Sequence, residues 1–178
     1  MTRIVWDVEA NGLLDTVSQV HCLVLKSIDI GEVIRLYGPS LSRENIIYSF
    51  TKFKPKKIIG HNIIGYDIPL LKKMYSIDLI DLLGPDAIID TYLWSQVAFP
   101  DRPMPKGCPE VIRSSTGKSK RIGPHGLESW GWRVGERKIE INDWSTFDDN
   151  MLNRCEVDVN INERVYYALL DEMGIKDD

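Results

Sequence analysis

Ile4-Val5-Trp6-Asp7-Val8-Glu9-Ala10-Asn11-Gly12-Leu13 is an apolar run near the first residue that carries two acids two positions apart. Residues i and i+2 of an extended strand project to one face, so the Asp7 and Glu9 carboxylates share a side of the predicted strand. Like charges so placed repel. On a solvated edge strand water dilutes that repulsion. In a strand flanked by Ile4, Val5 and Val8, a divalent cation with hard oxygen ligands relieves it more naturally. These ten residues alone leave both readings open.

The 178 residues are 43% hydrophobic, enough for a single domain over 1–178 with a real core. The net charge of −4 argues against a protein coated in positive charge, yet its distribution is uneven. Residues 1–99 hold 10 Lys/Arg and 11 Asp/Glu, residues 100–138 hold 9 and 4, and residues 139–178 hold 3 and 11. A basic middle and an acidic tail suit a nucleic-acid enzyme whose acids hold metal while a separate patch meets phosphate. Cys22, Cys108 and Cys155 are odd in number and widely spaced, which predicts no disulfide framework and a reducing compartment. No Cys-x-x-Cys or paired-His spacing suggests zinc. There is no apolar h-region and no run of about 18 apolar residues, so the expectation is a soluble, cytoplasmic protein without a membrane partner.

Strands are predicted at 3–8, 20–28 and 33–37, forming an antiparallel meander with turn residues at Asp29 to Glu32. Ser42, with Asn45 three residues on, opens a helix to about Phe53. A short buried strand at 57–62 precedes a helix beginning at Asp67, with Pro69 in its first turn. Ile88 to Thr91 repeats the strand-to-helix pattern, and Asp90 reads as the N-cap of a helix through Ala98 rather than as a metal ligand. Residues 100–124 contain five prolines, no helical period and the basic residues Arg113, Lys118, Lys120 and Arg121, which predicts a long basic loop able to touch a nucleic-acid strand. A short helix over 125–133 and a long one over about 147–173 complete the chain. This order predicts an α/β domain with a mixed sheet and flanking helices.

Two further acids follow the first pair. Asp67 ends His61-Asn62-Ile63-Ile64-Gly65-Tyr66-Asp67, and Asp158 lies in Cys155-Glu156-Val157-Asp158-Val159. The order Asp-x-Glu, Asp, Asp resembles the DEDD (DnaQ-like) superfamily of 3'→5' exonucleases. The flanks Asp-Val-Glu-Ala-Asn-Gly-Leu, Gly-Pro-His-Gly-Leu-Glu-Ser-Trp-Gly-Trp-Arg-Val-Gly-Glu and Trp144-x-x-Phe147 are similar to the proofreading exonuclease domain of phage family A DNA polymerases. The resemblance implies a ribonuclease-H-like fold, two divalent cations (Mg2+ or Mn2+) and hydrolysis of single-stranded DNA 3' ends. Asp7 would bridge both ions, Glu9 and Asp158 would complete the first site, and Asp67 would hold the second. It also implies a role in DNA replication, as a free-standing or split-polymerase enzyme in the host cytoplasm if phage-encoded, with a separate DNA polymerase subunit as a partner.

Leu13 stands where related enzymes wedge a leucine against the terminal base, though a loop leucine is also a common core residue. Asn62 either contacts substrate or ties strand to turn, and His61 reads as structural. Trp130 and Trp132 could stack on bases, but their i, i+2 helical spacing turns them apart, so at least one belongs to the core. One position departs from the family. Where the family has Tyr four residues, or His five residues, before the last acid, this chain has Arg154 and Asn153. A guanidinium carries only donors, so Arg154 is either a lesion or itself catalytic. On a helix it lies i, i+4 from Asp158 and would pair with it against the cation. The competing readings are a catalytically weakened DNA-end-binding or polymerase-partner module, and an exoribonuclease.

Overall fold

The computed structural model describes residues 2–113 and 119–176. Strand β1 (Arg3–Ala10) pairs on one side with β2 (Val20–Ser27) and on the other with β4 (Lys57–Gly60). With β3 (Val33–Tyr37) and β5 (Ile88–Asp90) they form a five-stranded sheet in the order β3-β2-β1-β4-β5. β1 to β3 make the expected antiparallel meander, and β4 and β5 run parallel to β1, so the sheet is mixed.

Alternation along β1 divides the molecule into two layers. Ile4, Trp6 and Val8 enter a core closed by α1 (Arg43–Thr51), α2 (Asp67–Tyr75) and α3 (Leu79–Leu83), where Trp6 meets Phe50 edge to face at 5.0 Å. Val5 faces the other way, into a core with Cys155, Val159, Tyr166 and Leu170 of the long helix α6 (Asp149–Met173). Helices α4 (Thr91–Ala98) and α5 (Leu127–Val134) cover the outer side of α6. Asp7 and Glu9 share the phase of Val5 and therefore look toward α6.

One expectation is corrected, and one element appears where the sequence predicts none. The 100–124 segment is not wholly irregular, because Val111–Arg113 (β6) and Ser119–Arg121 (β7) pair as an antiparallel hairpin. Strands of three residues fall below the length at which alternation shows in a sequence. Helix α3 was not anticipated either. It is five residues long and is started by Asp78, whose side chain accepts from the N–H groups of Ile80 and Asp81. Lys118 and the side chain of Arg113 lie outside the described residues.

Asp90 is the N-cap that the sequence suggested, and it does more than cap. Its carboxylate accepts from Tyr92 and Leu93 at the start of α4, and also from the N–H groups of Asn62 and Ile64 at 2.9 and 3.0 Å. It thus fixes the turn that leads from β4 to Asp67. Asn62 takes a positive φ of 63° in that turn, a conformation that asparagine tolerates better than most residues. Asp90 is buried, so Asp90→Ala strands several N–H groups. We expect a loss of roughly 2–3 kcal/mol in urea unfolding, with Asp90→Asn retaining part of it. Equal stability of Asp90→Ala and the parent would contradict this role.

Candidate active site

Three separate elements bring the acids together. β1 presents Asp7 and Glu9 toward α6, and α6 answers with Cys155, whose thiol donates to the Asp7 carbonyl at 3.3 Å. Asp158 lies nearly one turn further along α6 and is buried. Carboxylate oxygens of Asp7, Glu9 and Asp158 all lie within 4.8 Å of one another. Asp67, buried as the first residue of α2, lines the same cleft from the β4 side. Gly60 permits that approach, because a Cβ there would stand 2.0 Å from the Ile63 side chain.

This crowding changes acid strength. Burial first, then the charges of Glu9, Asp158 and Asp67, push Asp7 well above the usual carboxylate range. Burial and Asp158 raise Glu9 to about 7, against the lowering pull of Arg154 and Lys138. Burial also raises Asp67 strongly, although N–H groups of its own residue and of Val8 oppose the shift.

Two cations answer the acids. Arg154 reaches Glu9 Oε1 with Nε at 2.9 Å and donates through Nη1 to the Ile139 carbonyl. Its Nε stands 3.9 Å from Asp158 Oδ2, so the anticipated i, i+4 pair is present but is the longer contact. Asp158 instead holds Lys138, whose Nζ lies 2.6 Å from Oδ2. Lys138 was missed because it falls in the connection between α5 and α6, outside any element. The signal available was its place just beyond the motif that closes at Glu136.

Beside the acids a second cleft is lined by Leu13, Asn62, Tyr66, Lys120 and Trp144. Leu13 is 72% exposed, which removes the core reading. Its loop is held by Tyr66, whose hydroxyl donates to the Gly12 carbonyl at 2.5 Å, and by Asn11, whose Oδ1 accepts from Ser18 and Gln19. Lys120 and Arg121 of β7 line the acid cleft, so half of the basic set is placed at the site. His61 stands 2.9 Å from the Thr91 hydroxyl, and burial lowers it to about 3, which keeps it neutral. Trp130 is core, while Trp132 is half-buried beneath the Arg137 guanidinium.

The donor set fits a hard divalent ion. It consists of carboxylate oxygens, and Asp158 Oδ1 is buried with no hydrogen-bond partner among the described residues although its sister oxygen is paired.

No protein-family model matches the chain. The DNA-directed DNA polymerase of Escherichia phage T7 is 27% identical over 95% of the chain, and that of Enterobacteria phage T3 is 28% identical over 95%. The chain spans 27% of the length of each polymerase. Among solved structures, Brucella melitensis NrnC with bound Mg2+ superposes with a TM-score of 0.62 at 16% identity, covering 98% of this chain and 76% of that one. E. coli Exonuclease I in complex with a dT13 oligonucleotide gives 0.54 at 16% identity, covering 95% and 40%. The fold is therefore ribonuclease-H-like. With that fold, the similarity to the phage polymerases over 95% of the chain and the four acids in their order, the chain resembles the DEDD, DnaQ-like 3'→5' exonucleases.

Proposed function

We propose that the chain is a metal-dependent 3'→5' exonuclease acting on single-stranded DNA ends. The observation that carries this reading is the convergence of Asp7, Glu9, Asp67 and Asp158, from three elements, on one cleft beside an exposed Leu13. Asp7, Glu9 and Asp158 would hold one divalent cation and Asp67 a second shared with Asp7; such ions neutralise the scissile phosphate and activate water. The chain's own groups do the rest. Tyr66 and Asn11 hold the loop that presents Leu13 to the terminal base. Lys120 and Arg121 meet strand phosphates. Arg154 is no acceptor, so it orients no attacking water; it fixes Glu9 and sets positive charge beside the reacting phosphate. DNA is favoured as the substrate by the kinship to phage DNA polymerases, and a separate polymerase subunit is the natural partner.

A time course on a 5'-labelled single strand with magnesium, manganese or chelator tests the proposal. We expect a ladder shortening from the 3' end with metal only, faster on DNA than on matched RNA. Asp7→Asn and Asp67→Asn should reduce it to background while leaving the circular dichroism spectrum unchanged. Tight 3'-end binding without cleavage would favour the weakened-module reading.

Lys120→Gln and Arg121→Gln should each lower the slope of log affinity against log salt by about 0.7. An unchanged slope would remove them from the phosphate path.

The raised acids also set a pH dependence. Asp7, Glu9 and Asp67 keep protons in the folded chain that they have lost in the unfolded one, so the chelated protein binds more protons folded. Its thermal midpoint should therefore fall as pH rises, with the Glu9 contribution lost between its ordinary 4.5 and about 7. Saturating manganese, or Asp7→Asn, should flatten that decline. A midpoint in chelator that rises with pH across this window would contradict the assignment.

A further inference from the structure

Lys138 is a lysine with little access to water, its side chain only 15% exposed. A buried ammonium is costly unless it is paired, and its ion-pair partner is Asp158, with Asp7 also within reach of its charge. The chain holds it there deliberately. After α5 the backbone folds back so closely that the Glu136 N–H donates to Gly131 O at 2.9 Å, and a Cβ on Gly131 would lie 2.4 Å from Glu136 O. Arg164 of α6 pairs with Glu136 at 3.4 Å and donates to Val134 O at 3.2 Å. On the far side Arg154 grips the Ile139 carbonyl. Lys138 is thus carried on a short strap anchored at both ends, with its Nζ on a carboxylate that faces the metal-binding cluster.

We propose that Lys138 is a built-in counter-cation of the acid cluster, which the first divalent ion must displace from Asp158 in order to bind. This inference rests on the reading of the acids as metal ligands and deepens it into a control on metal loading. Asp7, Glu9 and Asp158 face Lys138 and Arg154, and Asp67 lines the same cleft, so once the acids release their protons they outnumber these two cations and can attract a metal ion. Of the two cations, Lys138 is the one that can leave. Arg154 is fixed by Glu9 and a backbone carbonyl together, whereas Lys138 holds Asp158 through one ammonium on a flexible four-carbon stem. Binding is then an exchange of one cation for another, and affinity is set lower than the bare acids would give.

Manganese binding without DNA, followed by loss of the free-ion electron paramagnetic resonance signal, tests this independently of cleavage. Lys138→Met and Lys138→Gln should bind Mn2+ about 10-fold tighter or more, since each removes a competing positive charge, while Lys138→Arg stays within about 3-fold of the parent. Arg164→Gln, at a more exposed position away from the acids, loosens the strap and should tighten binding by about 2- to 5-fold, which keeps the test available if the Lys138 variants fold poorly. Unchanged or weaker binding in these variants, with the parent binding Mn2+ normally, would overturn the role of Lys138 and leave the exonuclease reading intact. No specific Mn2+ binding by the parent or any variant would overturn both.

Discussion

Three carboxylates within 4.8 Å of one another are the constraint that the rest of the molecule is built to hold. When both are ionised, two carboxylates at that separation repel by roughly 3–4 kcal/mol at an effective dielectric of about 20, a force that the retained protons relieve in part and that returns as they are lost. A fold that keeps them so close must resist that force from both sides. β1 does so from the middle of the sheet, bonded to β2 and β4 and anchored through Trp6 against Phe50. α6 does so from above, where Cys155 and Val159 on either side of Asp158 are buried against Val5 and Ile59. Lys138 and Arg154 then lower the net charge without filling every oxygen, as the unpartnered Oδ1 of Asp158 shows.

Much of this was legible because it rests on short-period rules. The i, i+2 spacing of Asp7 and Glu9 gives a common face in any strand, and the apolar spacing around Cys155 and Val159 turns Asp158 inward with them. Asp90 announced itself as a cap by preceding an apolar helix. What its residue type did not reveal was that the same carboxylate also holds the turn after β4, because that contact joins residues 28 and 26 positions apart. Lys138 was opaque for the same reason. Its significance comes from Asp158, which it pairs with, and from Arg164, which anchors its strap, and these lie 20 and 26 positions further along the chain. The β6–β7 hairpin was hidden by brevity, and Arg154 was seen as a pair for Asp158 because helical spacing is readable whereas its nearer contact, across to Glu9 on β1, is not.

The two clefts divide the work in a way that the charge count already hinted. The acids gather where β1, α2 and α6 meet, while Lys120 and Arg121 come from the basic middle segment and border the same opening. On the proposed reading, a strand end beside Leu13 and Trp144 would find Lys120 in the same cleft as Glu9. Such an arrangement would answer the sign conflict between an anionic substrate and an anionic site, with cations of the protein guiding the backbone and the acids left for metal.

Anomalous diffraction at the manganese edge, from crystals grown with saturating Mn2+, tests the central claim most directly. The account predicts a peak in contact with the Asp7, Glu9 and Asp158 carboxylates, with the Lys138 ammonium withdrawn from Asp158. Crystals that bind Mn2+ only elsewhere, with Lys138 still paired to Asp158 among the four acids, would contradict it.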